Sequence, residues 1–305
     1  MSVAKKNGKV QWQVDQVISD PVYEDGKVIA LAVDLEYPSG RVRVGRYLEK
    51  CFMHLSLKKW AVDSGKELDS QFLFTLQDVW EESIPCRVSM FDRSLVACAG
   101  SVVFRVDLDG QLQWLRRLPY RFQTVMDPHR FKKHCEPPLI ADGRAIIFAP
   151  HQNDVIALDL SSGEKTWQVP KDGIERILGQ TSSNLIASTP DTVVAIDRET
   201  GERKWARRFG RLMEAHAVNE KEIAIIYDGQ KPRMAWVSAD GQVVAEHAIE
   251  GLEQKRRVAT PSLGPFVSIP GGLLVGFEPG NGVPRLREFM QLVPVKKTAL
   301  LSLSK

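Results

Sequence analysis

Six histidines, His54, His129, His134, His151, His216 and His247, and four cysteines, Cys51, Cys86, Cys98 and Cys135, are the side chains of this sequence best suited to bind metal or move protons. Their spacing supports neither role. No HxH or HExxH aligns two imidazoles, and no CxxC or CxxCH presents thiolates for zinc or a covalent haem. His134 beside Cys135 reads as a solvated loop histidine rather than half of a metal site. The cysteines read as four buried thiols, with a Cys86–Cys98 disulfide across neighbouring strands as the second reading. No GxGxxG opens a helix, and neither GxxxxGK[ST] nor GxSxG occurs. The carboxylates Asp63, Asp107, Asp159, Asp197 and Asp240 recur in phase along the chain. A catalytic carboxylate usually occurs once, whereas recurrence in phase marks a turn residue. No residue therefore receives a catalytic, cofactor-binding or metal-binding role, and no cofactor is expected.

The phase comes from an internal repeat. Residues 154–167 read DVIALDLSSGEKTW and residues 192–205 read TVVAIDRETGERKW. Each holds an Asp (Asp159, Asp197), a Gly (Gly163, Gly201) and a Trp (Trp167, Trp205) at fixed offsets. Weaker copies stand at 102–114, 234–245 and 60–68, and GKVQW at 8–12 is the tail of the motif without its head. Before each motif comes an apolar run, a tight turn and a second apolar run, as in PPLIADGRAIIFA at 137–149 and PVYEDGKVIALA at 21–32. That is the hairpin pattern. Each unit of about 40 residues thus holds four short strands, read in one unit as 138–141, 145–149, 154–159 and 165–169. Amphipathic helical spacing is nearly absent. The expected fold is all-β: a β-propeller of four-stranded antiparallel blades in a single domain spanning 1–305.

In this reading the glycines supply the positive φ that the turn between strands three and four needs. The aspartates accept hydrogen bonds from turn amides. The tryptophans cover an outer sheet edge. Six units are expected, at 18–76, 84–119, 134–170, 174–210, 212–250 and 256–305, the first lengthened by an insertion near 37–50. They form either a six-bladed closed ring or part of a seven- or eight-bladed one. Residues 8–14 are expected to supply the fourth strand of the last unit, near 284–289, and so to close the ring.

The pattern Ala-x-Asp-x-x-(Ser/Thr)-Gly-x-x-x-Trp, carried by Ala157 to Trp167 and Ala195 to Trp205, resembles the repeat of the pyrroloquinoline quinone (PQQ) dehydrogenase superfamily. The resemblance implies a propeller whose tryptophans dock between neighbouring blades. The superfamily holds quinoprotein alcohol dehydrogenases, a cofactor-free scaffold of the outer-membrane assembly machinery, and sensor domains of signalling proteins. The dehydrogenases place adjacent cysteines against the quinone, and no Cys-Cys pair occurs here. The expected function is a non-enzymatic scaffold for protein binding. A PQQ-dependent or degenerate oxidoreductase, or a sensor domain of a larger protein, is the alternative.

Composition is that of an ordinary soluble chain, 43% hydrophobic and 26% charged. A net charge of +3 gives no support for nucleic acid, and the resemblance to the scaffold member implies another protein as partner. The N-terminus has no apolar stretch of signal-peptide length and no run is long enough to span a membrane. A cytoplasmic location follows for the sequence as written, and a periplasmic or envelope one if a segment precedes it. Basic residues gather in the links that follow fourth strands: Arg116, Arg117, Arg130, Lys132 and Lys133; Arg207, Arg208 and Arg211; Arg256 and Arg257. They read either as solvated loops or as an electropositive face that docks an acidic protein surface, with a phosphate-rich one in second place.

Overall fold

The structure, a computed structural model, describes residues 2–4, 10–37, 50–80, 86–99, 102–118, 137–148, 154–228, 232–248, 262–269, 272–278 and 289–294. The chain divides into two compact units, Met1–Asp172 and Gly173–Lys305. All regular structure among the described residues is β.

The first unit opens with a two-stranded antiparallel pair, β1 (Ser2–Ala4) and β2 (Val10–Gln13). Three four-stranded antiparallel sheets follow, each in sequential order. Blade one is β3 (Val22–Glu24), β4 (Lys27–Glu36), β5 (Lys50–Ala61) and β6 (Glu67–Trp80). Blade two is β7 (Cys86–Phe91), β8 (Ser94–Ala99), β9 (Val102–Asp107) and β10 (Leu112–Arg117). Blade three is β11 (Leu139–Ala141), β12 (Arg144–Ile147), β13 (Asp154–Asp159) and β14 (Lys165–Pro170).

The second unit holds blade four, β15 (Arg176–Gln180), β16 (Asn184–Ser188), β17 (Thr192–Asp197) and β18 (Arg203–Arg208), and blade five, β19 (Leu212–Ala217), β20 (Glu222–Tyr227), β21 (Arg233–Ser238) and β22 (Val243–Ala248). A three-stranded sheet ends it: β23 (Ser262–Ile269), β24 (Gly272–Glu278) and β25 (Phe289–Pro294). The six units read from the sequence are thus six sheets, with the boundaries of the third and fourth blades within a residue or two of expectation.

Two features depart from it. Val10–Gln13 pairs with Ser2–Ala4, and the segment expected to receive it, 284–289, lies outside the described residues except for Phe289. Blade one is longer than a repeat requires: β4, β5 and β6 run 10, 12 and 14 residues. The insertion near 37–50 falls between β4 and β5, and residues 38–49 lie outside the described residues.

The central strands explain why the sequence reads as continuous apolar runs. β8 (SLVACA) and β16 (NLIAS) are buried along their whole length, because a blade packs on a neighbour through both faces. The core therefore consists of layers between blades. Leu31, Leu55 and Leu57 of blade one meet Leu95, Ala97 and Phe104 of blade two. Val96, Cys98 and Val103 meet Ala145, Ile147 and Leu158 of blade three. In the second unit Ile186, Val193 and Ala195 meet Ile223, Ile225 and Ala235. Cys86 sits in the first of these layers and Cys98 in the second, on opposite faces of blade two, which is why the two do not form a disulfide with each other. Cys51 and Cys135 lie outside the described side chains.

In blades one to three the hairpins between first and second strands use two consecutive positive-φ residues, the mirror-type turn that matches strand twist. Asp25-Gly26 and Asp142-Gly143 fit it readily, and Asp92-Arg93 adopts it without glycine, with Arg93 at φ 51°. Arg93 is held there from two sides: its carbonyl accepts from Leu108 N–H (3.0 Å), and its guanidinium meets Glu24 of blade one (2.9 Å).

Candidate interaction site

The repeat motif builds one device several times. After the third strand the Asp caps the turn: Asp159 Oδ1 accepts from the N–H groups of Ser161 (2.9 Å) and Ser162 (2.8 Å) and from both of their hydroxyls. These bonds, the Ser161 hydroxyl foremost, hold its carboxyl down at about 2. Asp197 is capped alike by Glu199 and Thr200 N–H (2.8 and 2.9 Å), and its carboxyl also lies below the usual range, chiefly through the Thr200 amide.

The first residue past the third strand ties two blades together. In blade three Leu160 N–H donates to Gly143 O of its own blade (2.8 Å), while Leu160 O accepts the indole N–H of Trp114 from blade two (2.8 Å). Blade five repeats this at Ala239, whose carbonyl takes Trp205 Nε1–H of blade four (2.9 Å). Blade one repeats it at Val62, whose carbonyl takes Trp12 Nε1–H from β2 (2.8 Å). Trp12 thus sits on blade one as Trp114 sits on blade three, the place of a fourth-strand tryptophan.

The glycines do more than turn the chain. Gly163 has φ +70°, and a Cβ there would lie 2.5 Å from the Trp114 ring. Gly65 faces Trp12 at 2.6 Å and Gly241 faces Trp205 at 2.7 Å in the same way. At Gly110 the visitor is Gln71 of β6, the one departure among these joints. Of the six motif residues read from the sequence, Asp159 and Asp197 end β13 and β17, Gly163 and Gly201 stand in the following turns at positive φ, and Trp167 and Trp205 lie on β14 and β18. Trp167 is buried and Trp205 half-buried.

The arginines divide into two sorts. Arg116 is committed to the blade contact: Nε donates to Gly163 O and a terminal nitrogen to Ser162 O, both at 2.9 Å, which clamps the turn that Trp114 covers. The bonds go to backbone carbonyls of another blade, which no side-chain pattern reveals. Arg208 pairs with Asp191 at 2.7 Å. Arg117 and Arg211 are exposed and Arg207 half-buried; among the described residues no ion pair engages these three. Nearby in the second unit, Arg233–Glu246 (2.5 Å) and Arg176–Glu214 (2.9 Å) cancel other charges. Arg130, Lys132, Lys133, Arg256 and Arg257 lie outside the described residues, as do His134 and Cys135.

Among the described residues no group of three His, Cys, Asp or Glu side chains is placed to hold a metal ion, and no helix is long and apolar enough to cross a membrane.

Four-stranded blades locked rim to turn by a recurrent Trp–Gly contact define a propeller of the PQQ-like class. The family model of the outer membrane protein assembly factor BamB matches residues 1–207, more than half of the chain, and the chain belongs to that family. The crystal structure of BamB from Moraxella catarrhalis is similar in fold, with a TM-score of 0.50 at 15% identity over 90% of this chain and 84% of that one. A quinohemoprotein alcohol dehydrogenase from Comamonas testosteroni aligns with a TM-score of 0.47 at 12% identity, over 86% of this chain and 51% of its own. No curated protein matches the sequence.

Proposed function

We propose that this chain is a non-enzymatic scaffold that binds another protein, in the manner of an outer membrane protein assembly factor, and that arginines at the ends of its outer strands dock an acidic surface of that partner. Membership of the BamB family supports the scaffold role. The observation that carries the docking is the pair Arg207 and Arg211 of the second unit, cations with no ion pair among the described residues to neutralise them, while Arg208 and Arg176 of the same unit are paired internally. Unpaired surface cations steer an acidic partner and set its orientation more than they add affinity. An assembly role implies an envelope location, which cell fractionation reads directly.

The test reverses Arg207 and Arg211 to Glu together and leaves Arg208, already paired with Asp191, in place. Binding to an acidic protein partner should weaken with added salt, since exposed charges are screened beyond about 10 Å at about 0.1 M ionic strength. The double variant should lose both the binding and its salt dependence while keeping the wild-type circular dichroism. Unchanged binding would reduce the pair to solvated charge.

A further inference from the structure

The hairpin of β1 and β2 carries the pairing signature of a blade's outer half. In blades two to five the third and fourth strands pair with one irregularity, an extra residue on the fourth strand just before the tryptophan's place. Arg105 pairs with Trp114 and Val106 with Leu112, so Gln113 bulges. Ala157 pairs with Trp167 and Leu158 with Lys165; Ala195 pairs with Trp205 and Ile196 with Arg203. Blade five repeats this with Trp236 on Ala245 and Val237 on Val243. In these blades no second strand shifts against its third, and the shifts between first and second strands put the extra residue on the first. β1 and β2 follow the outer pattern: Val3 pairs with Trp12 and Ala4 with Val10, which leaves Gln11 bulged. Trp12 also makes the fourth-strand indole bond, to Val62 O at 2.8 Å, and lies against Gly65. Register, bulge and docking together mark β1 as a third strand and β2 as a fourth.

A third strand has two partners. In each four-stranded blade its other edge is bonded to a second strand, which a turn joins to a first. Those second strands are apolar and buried, as in LVACA of β8, AII of β12, LIAS of β16 and IAII of β20. β1 is bonded only to β2 among the described residues. The phase of the hydrogen bonds fixes what it offers. In blade four Phe209 N–H donates to Asp191 O (2.9 Å), so Val193 and Ala195 bond to β18 while Val194 and Ile196 turn their backbone groups to β16. Val3 stands in the place of Ala195, so Ser2 and Ala4 present N–H and C=O groups on the open edge.

We propose that the edge of β1 docks an apolar β-hairpin of a partner protein, which supplies the first and second strands and completes this blade. Within this chain the inner hairpins are already engaged: each of the six described ones is bonded to the third strand of its own sheet. A second copy has none to lend for the same reason. No stretch outside the described residues reads as two uncharged apolar runs about a tight turn. The partner strand is uncharged, because a second strand lies between blades and a charge there would be buried. Backbone bonds to β1 supply the recognition, as in other cases of strand addition. The site belongs to the first unit and uses neither Arg207 nor Arg211, so it stands or falls apart from the docking proposed for them.

A synthetic peptide copying residues 137–148, PPLIADGRAIIF, is the probe, since it is the inner hairpin of blade three. Its binding to the full chain is followed by fluorescence anisotropy, and the Ala4 amide by hydrogen exchange in protein labelled with isotopic alanine. The peptide should bind saturably and slow exchange at Ala4 by at least about tenfold. Ala4→Pro removes an outward N–H and leaves the bonds of Val3 to β2, so it should weaken binding by at least about tenfold. A peptide carrying Ile146→Pro should not bind. Exchange at Ala4 in the wild type reads the site independently of how the variant folds. Absence of binding, binding indifferent to Ala4→Pro, or binding without slower exchange at Ala4 overturns the proposal. So does an Ala4 amide that, in the chain alone, exchanges as slowly as that of Ala97 in the buried centre of β8, which would show that the chain covers this edge itself.

Discussion

Replacing Trp114 by Ala removes the indole that closes the joint between blades two and three. The ring is 6% exposed, its N–H is bonded to Leu160 O, and it rests on Gly163. An indole buries about 150–250 Å², which at about 25 cal/mol per Å² corresponds to an upper estimate of about 4–6 kcal/mol. Nothing nearby can collapse into the space, since Gly163 has no side chain and its backbone is held by Asp159. The expected loss is about 4 kcal/mol, within the range of about 3–5 for a buried Trp→Ala change. Trp205 makes the same bond but is half-buried, so Trp205→Ala should cost about 2–3 kcal/mol. Urea unfolding followed by far-ultraviolet circular dichroism reads both, as shifts of the midpoint at constant slope. A Trp114→Ala loss under about 1 kcal/mol, or one no larger than that of Trp205→Ala, would refute the claim that the docked indole fastens the joint.

Gly163→Ala should destabilise by clearly more than Gly143→Ala: both glycines have φ near +70°, yet a Cβ at 163 strikes Trp114 and one at 143 meets nothing within 4 Å, so the difference in urea midpoint isolates the indole contact. Asp159, held at about 2 when folded, should contribute stability that is complete above its ordinary pKa of 3.8 and is lost as pH falls from there toward 2. The stability gap between wild type and Asp159→Asn should therefore close over that window, and a gap independent of pH would show that the capped turn does not depend on the ionised carboxylate.

Much of this architecture was legible because the signals are local. Asp159, Gly163 and Trp167 recur as Asp197, Gly201 and Trp205 because each unit solves the same turn, and a turn is specified by its own few residues. What the glycine excludes was not legible. Positive φ is a property of one residue, whereas the closeness of Gly163 to Trp114 is a property of two blades. Arg116 escaped for a similar reason: its partners are carbonyls of Ser162 and Gly163, and backbone acceptors leave no trace in residue type. Arg208 looked like a free cation until Asp191, at the start of another strand, was placed beside it. The long strands of blade one were hidden because LFTLQDVW continues past the end of the repeat pattern without a turn residue to mark it as strand.

The joint between blades one and two is fastened differently from the others. At its rim Gln71 stands where an indole would be, and the fastening has moved inward, to the edge-to-face contact of Phe74 with Phe104 (5.0 Å). Where a blade is locked at its rim, altering the outer strand undoes the neighbour as well. Where it is locked from within, that strand can lengthen and drift in sequence while the neighbour keeps its fold. The first blade is thus the position at which the array can accept new sequence at its margin, and it is there that the longest of the described strands and the insertion lie.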